Sequence, residues 1–157
     1  MGRKLSFVVF AVAVGLVMAG VTSAIAASSI VVEETIVVHE HTVRSRLVDL
    51  VGKPDDFKPG DRYLFRSELS DETGVVGSLS VECSVGFARV DDCTQTDDLA
   101  RGTIVAAGQV PVAELSPGGT WTLAILGGTE EFENVRGSVT VVLLESGDSE
   151  QTLHLIP

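Results

Sequence analysis

The sequence predicts an all-β domain, and three observations carry that reading. Apolar and polar residues alternate with a period of two through several stretches, as they do on half-buried strands. Those stretches recur at roughly ten-residue spacing with Gly or Pro between them, the pattern of sandwiches and barrels. Beyond the first 26 residues no stretch carries the longer helical periodicity over ten or more positions.

The first strand is expected near 35–44, where Val37-Val38-His39-Glu40-His41-Thr42-Val43-Arg44 places His39 and His41 on one face. Glu40 falls on the other, with Val38, Thr42 and Arg44. The second, near 62–69, sets Tyr63, Phe65 and Leu69 against Arg66 and Glu68. The third, near 75–85, is the clearest: Leu79, Val81, Cys83 and Val85 alternate with Ser78, Ser80, Glu82 and Ser84. A short further strand is expected near 87–90, then strands near 101–110, 120–126, 136–145 and 150–156. In the fifth of these eight, Gly108-Gln109 is the distinctive pair, and in the sixth Trp121, Leu123 and Ile125 share a face. Between the sixth and seventh, Gly127-Gly128-Thr129 and an acidic segment with Phe132 read as a tight hairpin connection, with Gly137 opening the next strand. Periodicity alone does not separate a sandwich from a closed barrel.

The N-terminus reads as an address. Arg3 and Lys4 precede an apolar run from Leu5 to Val17, and Ala24-Ile25-Ala26 has the small-x-small form of a signal-peptidase site. The run is too short for a convincing membrane span. Residues 1–26 are therefore expected to be a secretory signal peptide and 27–157 a single domain, secreted and not membrane-bound after cleavage.

Removing two of the eleven basic residues and none of the 22 acidic ones leaves 9 − 22 = −13. Such a charge argues against nucleic acid as a partner. The paired acids Asp55-Asp56, Asp71-Glu72, Asp91-Asp92, Asp97-Asp98 and Glu130-Glu131 are expected in solvated turns, and none has the spacing of a calcium loop. His39 and His41 lack a local third ligand, so no metal is expected. The chain has no nucleophile elbow, phosphate loop or dinucleotide fingerprint, and no cofactor is expected. Its two cysteines, Cys83 and Cys93, are ten residues apart around Gly86, and in an exported protein that spacing favours a disulfide closing a hairpin.

The segment Leu123 to Val141, with its Gly127-Gly128-Thr129, buried-type Phe132 and Gly137, resembles the allene oxide cyclase barrel family and its dirigent relatives. So do Gly60-Asp61 followed by a strand with central Phe65, Gly77 to Cys83, Gly102 to Val110, and the closing Thr152-Leu153-His154-Leu155. The resemblance spans most of 34–156 and implies a closed antiparallel β-barrel of about eight strands, whose interior holds one small ligand. It also implies that Glu40 matches the family's inward-pointing acidic residue and is the candidate catalytic group. Cys83 matches a pocket cysteine of the plant enzymes, which offers a free lumen thiol as the alternative to a disulfide. Tyr63, Phe65 and Ser67 on the second strand complete the candidate ligand contacts. Where relatives carry a third glycine after Gly-Gly-Thr, this chain has Glu130, and the turn is expected to differ there.

By this resemblance the protein binds a small hydrophobic molecule and guides its stereoselective cyclisation or coupling by positioning, as an isomerase or cyclase of the allene oxide cyclase type. A non-catalytic carrier and an extracellular protein-binding barrel are the competing classes. Plant members form trimers, so the resemblance implies a homo-oligomer.

Overall fold

A computed structural model describes residues 33–50 and 58–157; the expected signal peptide lies outside them. Eight antiparallel strands close into a barrel: β1 (Glu34–Val48), β2 (Arg62–Asp71), β3 (Gly74–Ser84), β4 (Val90–Leu99), β5 (Gly102–Pro111), β6 (Thr120–Gly128), β7 (Arg136–Leu143) and β8 (Ser149–Ile156). Each strand pairs with its sequence neighbour, and β1 pairs with β8 to close the ring. Closure gives every described strand a partner on both sides, with the β5–β6 pairing confined to Ile104–Ala107 against Ala124–Gly128. This is the closed barrel of about eight strands that the family resemblance implied.

Three expectations are corrected. The short strand near 87–90 is instead the ten-residue β4, and Asp91 and Asp97, expected in solvated turns, lie on its inner face, 3% and 0% exposed. Alternation is present there, but Asp91, Cys93, Gln95 and Asp97 point inward, so the strand carries no apolar face to read. Its real turn, at residues 85–89, holds Ala88 and Arg89 at φ of 59° and 62°.

The second correction concerns β1. A bulge between Thr42 and Arg44 inserts one residue, so the inward set changes parity from Glu40 and Thr42 to Ser45 and Leu47. Arg44 consequently pairs with Arg66 on the outer surface and does not share Glu40's face. Third, Glu130 keeps a left-handed backbone at φ 55°, so the turn retains the conformation a glycine would favour, at a cost of about 1 kcal/mol.

The barrel is filled at one end and hollow at the other. Val38, Leu69, Leu79, Ile104, Val139 and Leu153 meet in its lower half, each no more than 1% exposed. Burying each such side chain contributes about 1.5–3 kcal/mol before entropy is charged against it. The β6–β7 connection seals this end: a 3-10 turn at Glu130–Phe132 buries the Phe132 ring, over which the Arg101 guanidinium sits 5.1 Å from the centroid. Arg101 also pairs with Glu34 and Glu131, tying the turn to the start of β1. Gly128 makes the seal sterically allowed, because a Cβ there would come within 2.3 Å of the Thr103 carbonyl oxygen and 2.7 Å of the Phe132 Cβ.

Candidate functional site

At the opposite end the strands diverge around a cavity of about 270 Å³, near the lower limit of the ~300–1,000 Å³ usual for ligand sites. Its walls follow from strand alternation. Tyr63 and Phe65 rise along β2 with parallel rings 6.4 Å apart, and Trp121 faces them from β6 with Leu123, Val141 and Val81 between. The expected aromatic wall is therefore present on the lumen face. Above it, Leu115 roofs part of the opening, and a wider apolar vestibule of about 860 Å³ continues outward past Leu47, Val112 and Phe87. Phe87 stands 83% exposed in the β3–β4 turn.

One wall is covalently fixed. Cys83 and Cys93 sit directly opposite one another on β3 and β4, with Cα atoms 4.1 Å apart, and are joined by a disulfide. The bond crosses two paired strands and its sulfurs line the cavity, so Cys83 is both bonded and part of the lumen surface. The Tyr63 hydroxyl lies 3.8 Å from the Cys93 Sγ and donates to Asp91 Oδ2 at 3.1 Å. Burial, and then the neighbouring Asp91 carboxylate, push the Tyr63 phenol far above its ordinary value, which keeps it a hydrogen-bond donor.

The floor is polar. Glu40 points inward, 7% exposed, and accepts hydrogen bonds from Ser67 Oγ at 2.6 Å, Ser149 Oγ at 2.5 Å and Gln151 Nε2 at 3.0 Å. Gln151 in turn accepts at Oε1 from Gln95 Nε2, 2.8 Å away, and Gln95 also donates to both oxygens of Asp97 at 3.0 and 2.9 Å. The chain runs from β1 and β2 through β8 to β4, across the full width of the barrel. Each amide has one orientation that satisfies both neighbours: Gln95 turns its NH₂ toward Asp97 and Gln151, and Gln151 turns its NH₂ toward Glu40. Buried polar groups linked in this way hold one another in place, since any one left unpaired costs about 1–3 kcal/mol.

Of the residues singled out by sequence, Glu40, Tyr63, Phe65 and Cys83 all line the cavity. Ser67 does not reach it; at 1% exposure its hydroxyl is spent holding Glu40 from below. His39 and His41 lie outside the barrel, where His41 pairs with Asp148 at 2.7 Å and His39 approaches Glu150 at 3.8 Å. Sequence reasoning missed Gln95, Asp97, Ser149 and Gln151. For the last two the signal was available, because Ser149, Gln151, Leu153 and Leu155 share one face of a clearly periodic strand.

Asp97 is the group of this floor most displaced from ordinary chemistry. Burial raises its pKa to about 7; the Gln95 hydrogen bonds oppose the rise, and the Glu40 charge adds to it. Because the folded value lies above the unfolded one of about 3.9, the native state binds the extra proton between about pH 4 and 7. Asp97 therefore weakens the fold progressively as pH rises through that window, by up to about 4 kcal/mol. Replacing Asp97 with Asn is expected to remove this slope. Urea midpoints measured from pH 4.5 to 7.5 should show the variant gaining on the parent protein as pH rises; parallel profiles would refute the assignment.

No protein-family model matches the chain, and no curated protein matches it. Solved structures do share its fold. A pyocyanin demethylase is 27% identical, with a TM-score of 0.67 over 78% of this chain and 99% of that one. AbnU, described as an exo-specific intermolecular Diels-Alderase, superposes with a TM-score of 0.65 at 15% identity, over 79% of this chain and 98% of its own. The Diels-Alderase AbmU from Streptomyces koyangensis gives 0.61 at 21% identity, over 78% of this chain and 62% of its own. These neighbours are eight-stranded barrels that include cycloaddition cyclases, and the chain shares their architecture.

Proposed function

We propose that the protein is a cyclase-type barrel that takes a small, mainly apolar molecule into the upper lumen and guides its stereoselective ring closure or coupling. The observation that carries this reading is Glu40: the one carboxylate among the described residues that lines the cavity, held by three hydrogen bonds at its floor, beneath walls of aromatic and aliphatic side chains and a disulfide. The Diels-Alderase neighbours support a cyclase-type barrel in general; the allene oxide cyclase type rests on the sequence motifs alone.

Chemically, the site is suited to isomerisation, in which no group is gained or lost and no cofactor is needed. Tyr63, Phe65 and Trp121 restrict a flexible chain to one folded conformer and exclude water. Preorganised geometry of that kind can supply about 7–11 kcal/mol of barrier lowering in favourable cases. Glu40 acts where charge grows. Its donors are already in place, so it stabilises positive charge developing on the closing ring without reorganising. Ser67, Ser149 and Gln151 fix the position and orientation of that carboxylate in the cavity.

The test uses achiral linear polyenes that cyclise slowly unaided, with chiral chromatography of the product. The wild-type protein is expected to accelerate closure and to favour one enantiomer. Glu40→Gln should lower the rate at saturating substrate about a hundredfold, because the lost charge matters most in the transition state. Binding without any enantiomeric bias would identify a carrier instead.

Export from the cell is part of the same proposal and is supported by the Cys83–Cys93 bond, since structural disulfides persist in oxidising compartments. The secreted protein is expected to begin at Ala27, which intact-mass analysis of culture supernatant reads directly. A cell-associated product retaining Met1 to Ala26 would contradict it.

A further inference from the structure

Glu40 accepts three hydrogen bonds but has no cationic partner among the described residues. That is unusual for a carboxylate 7% exposed, because buried charges are normally paired with an opposite charge. The neighbouring groups bring no cation either. Asp97, two residues beyond Gln95 in the same hydrogen-bonded chain, and Asp91, at the rim on the same face of β4, are both acids.

The distribution of positive charge is the mirror image. No Lys, Arg or His of the described residues lines the inner cavity. The arrangement depends on one backbone detail: without the bulge at Val43, alternation would turn the Arg44 guanidinium into the lumen two positions from Thr42. With it, Arg44 faces solvent beside Arg66, and the lumen keeps its uncompensated negative charge. Arg46 and Arg89 line the outer vestibule and do not line the inner cavity.

We infer that the ligand of this cavity carries a positive charge, such as a protonated amine or a heteroaromatic cation, at the end that reaches the floor, where it supplies the counter-charge Glu40 lacks. The inference rests on the reading of the cavity as a ligand site and names the chemical class of its occupant. The walls fit the same class. Tyr63, Phe65 and Trp121 offer aromatic faces to a desolvated cation, and such faces attract cations within about 6 Å of the ring centroid. A carboxylate-bearing ligand of the same shape would meet Glu40 with like charge and no cationic side chain among the described residues of the cavity lining.

Three probes of one size and shape separate the possibilities: 1-naphthylmethylammonium, the neutral 1-naphthylmethanol and the anionic 1-naphthoate, each titrated calorimetrically into the mature protein at neutral pH. The ammonium is expected to bind at least tenfold more tightly than the alcohol, with the naphthoate weakest. Glu40→Gln should remove the preference, bringing the ammonium to within a few-fold of the alcohol measured in the same variant. The ranking in the unsubstituted protein stands as a test by itself, independent of how the variant folds. Equal binding of ammonium and alcohol overturns the inference and leaves the ligand site intact, and tightest binding of the naphthoate overturns it in favour of the vestibule arginines. Failure of all three probes to bind overturns the cavity reading beneath it.

Discussion

The hydrogen-bonded chain from Glu40 through Gln151 and Gln95 to Asp97 is the constraint on which the rest of the barrel depends. An eight-stranded barrel has an interior just wide enough to be filled by its own side chains, so a cavity exists only where something prevents collapse. Here that something is a polar layer whose members satisfy one another and resist being pushed into apolar packing. Below it, Leu69, Leu79, Ile104 and Leu153 fill the space completely; above it, the side chains stand apart around an open lumen. The layer is thus both the lid of the core and the floor of the site.

Fixing that layer takes covalent and backbone devices as well as side chains. β4 places Gln95 and Asp97, yet its inner face is polar and supplies little hydrophobic drive to hold it in register. The Cys83–Cys93 bond compensates by tying β4 to β3 two residues from Gln95. On the other side of the barrel the β1 bulge leaves Glu40 inward and sends Arg44 outward, so the carboxylate faces the cavity without an intramolecular cation. The solid lower half anchors both strands, and the hollow half inherits their geometry.

Much of this was legible from residue order. The strands whose inner faces are apolar, such as β3 with Leu79, Val81 and Cys83, follow from period-two alternation, and the Gly127-Gly128 to Gly137 hairpin follows from its punctuation. Glu40, Tyr63 and Phe65 were reachable because a family resemblance marked them and alternation placed the two aromatics on one face. What was hidden had physical causes. β4 was lost because its buried residues are Asp, Cys and Gln, so burial left no hydrophobic signature, and its acid pairs imitate turns. The fate of Arg44 was hidden because a bulge is a backbone event that no alternation rule anticipates. Ser67 was placed on the correct strand face, but its role as a support for Glu40 depends on depth in the barrel, which sequence does not encode.

The central claim is that a cationic, apolar ligand seats on Glu40 between the aromatic walls. Its most direct test is positional: a crystal structure of the mature protein with 1-naphthylmethylammonium bound. The account predicts the naphthalene rings among Tyr63, Phe65 and Trp121, with the ammonium nitrogen about 2.7–2.9 Å from a Glu40 carboxylate oxygen. Density for the probe in the outer vestibule beside Arg46 and Arg89, with the inner cavity collapsed onto Gln95 and Gln151, would contradict it.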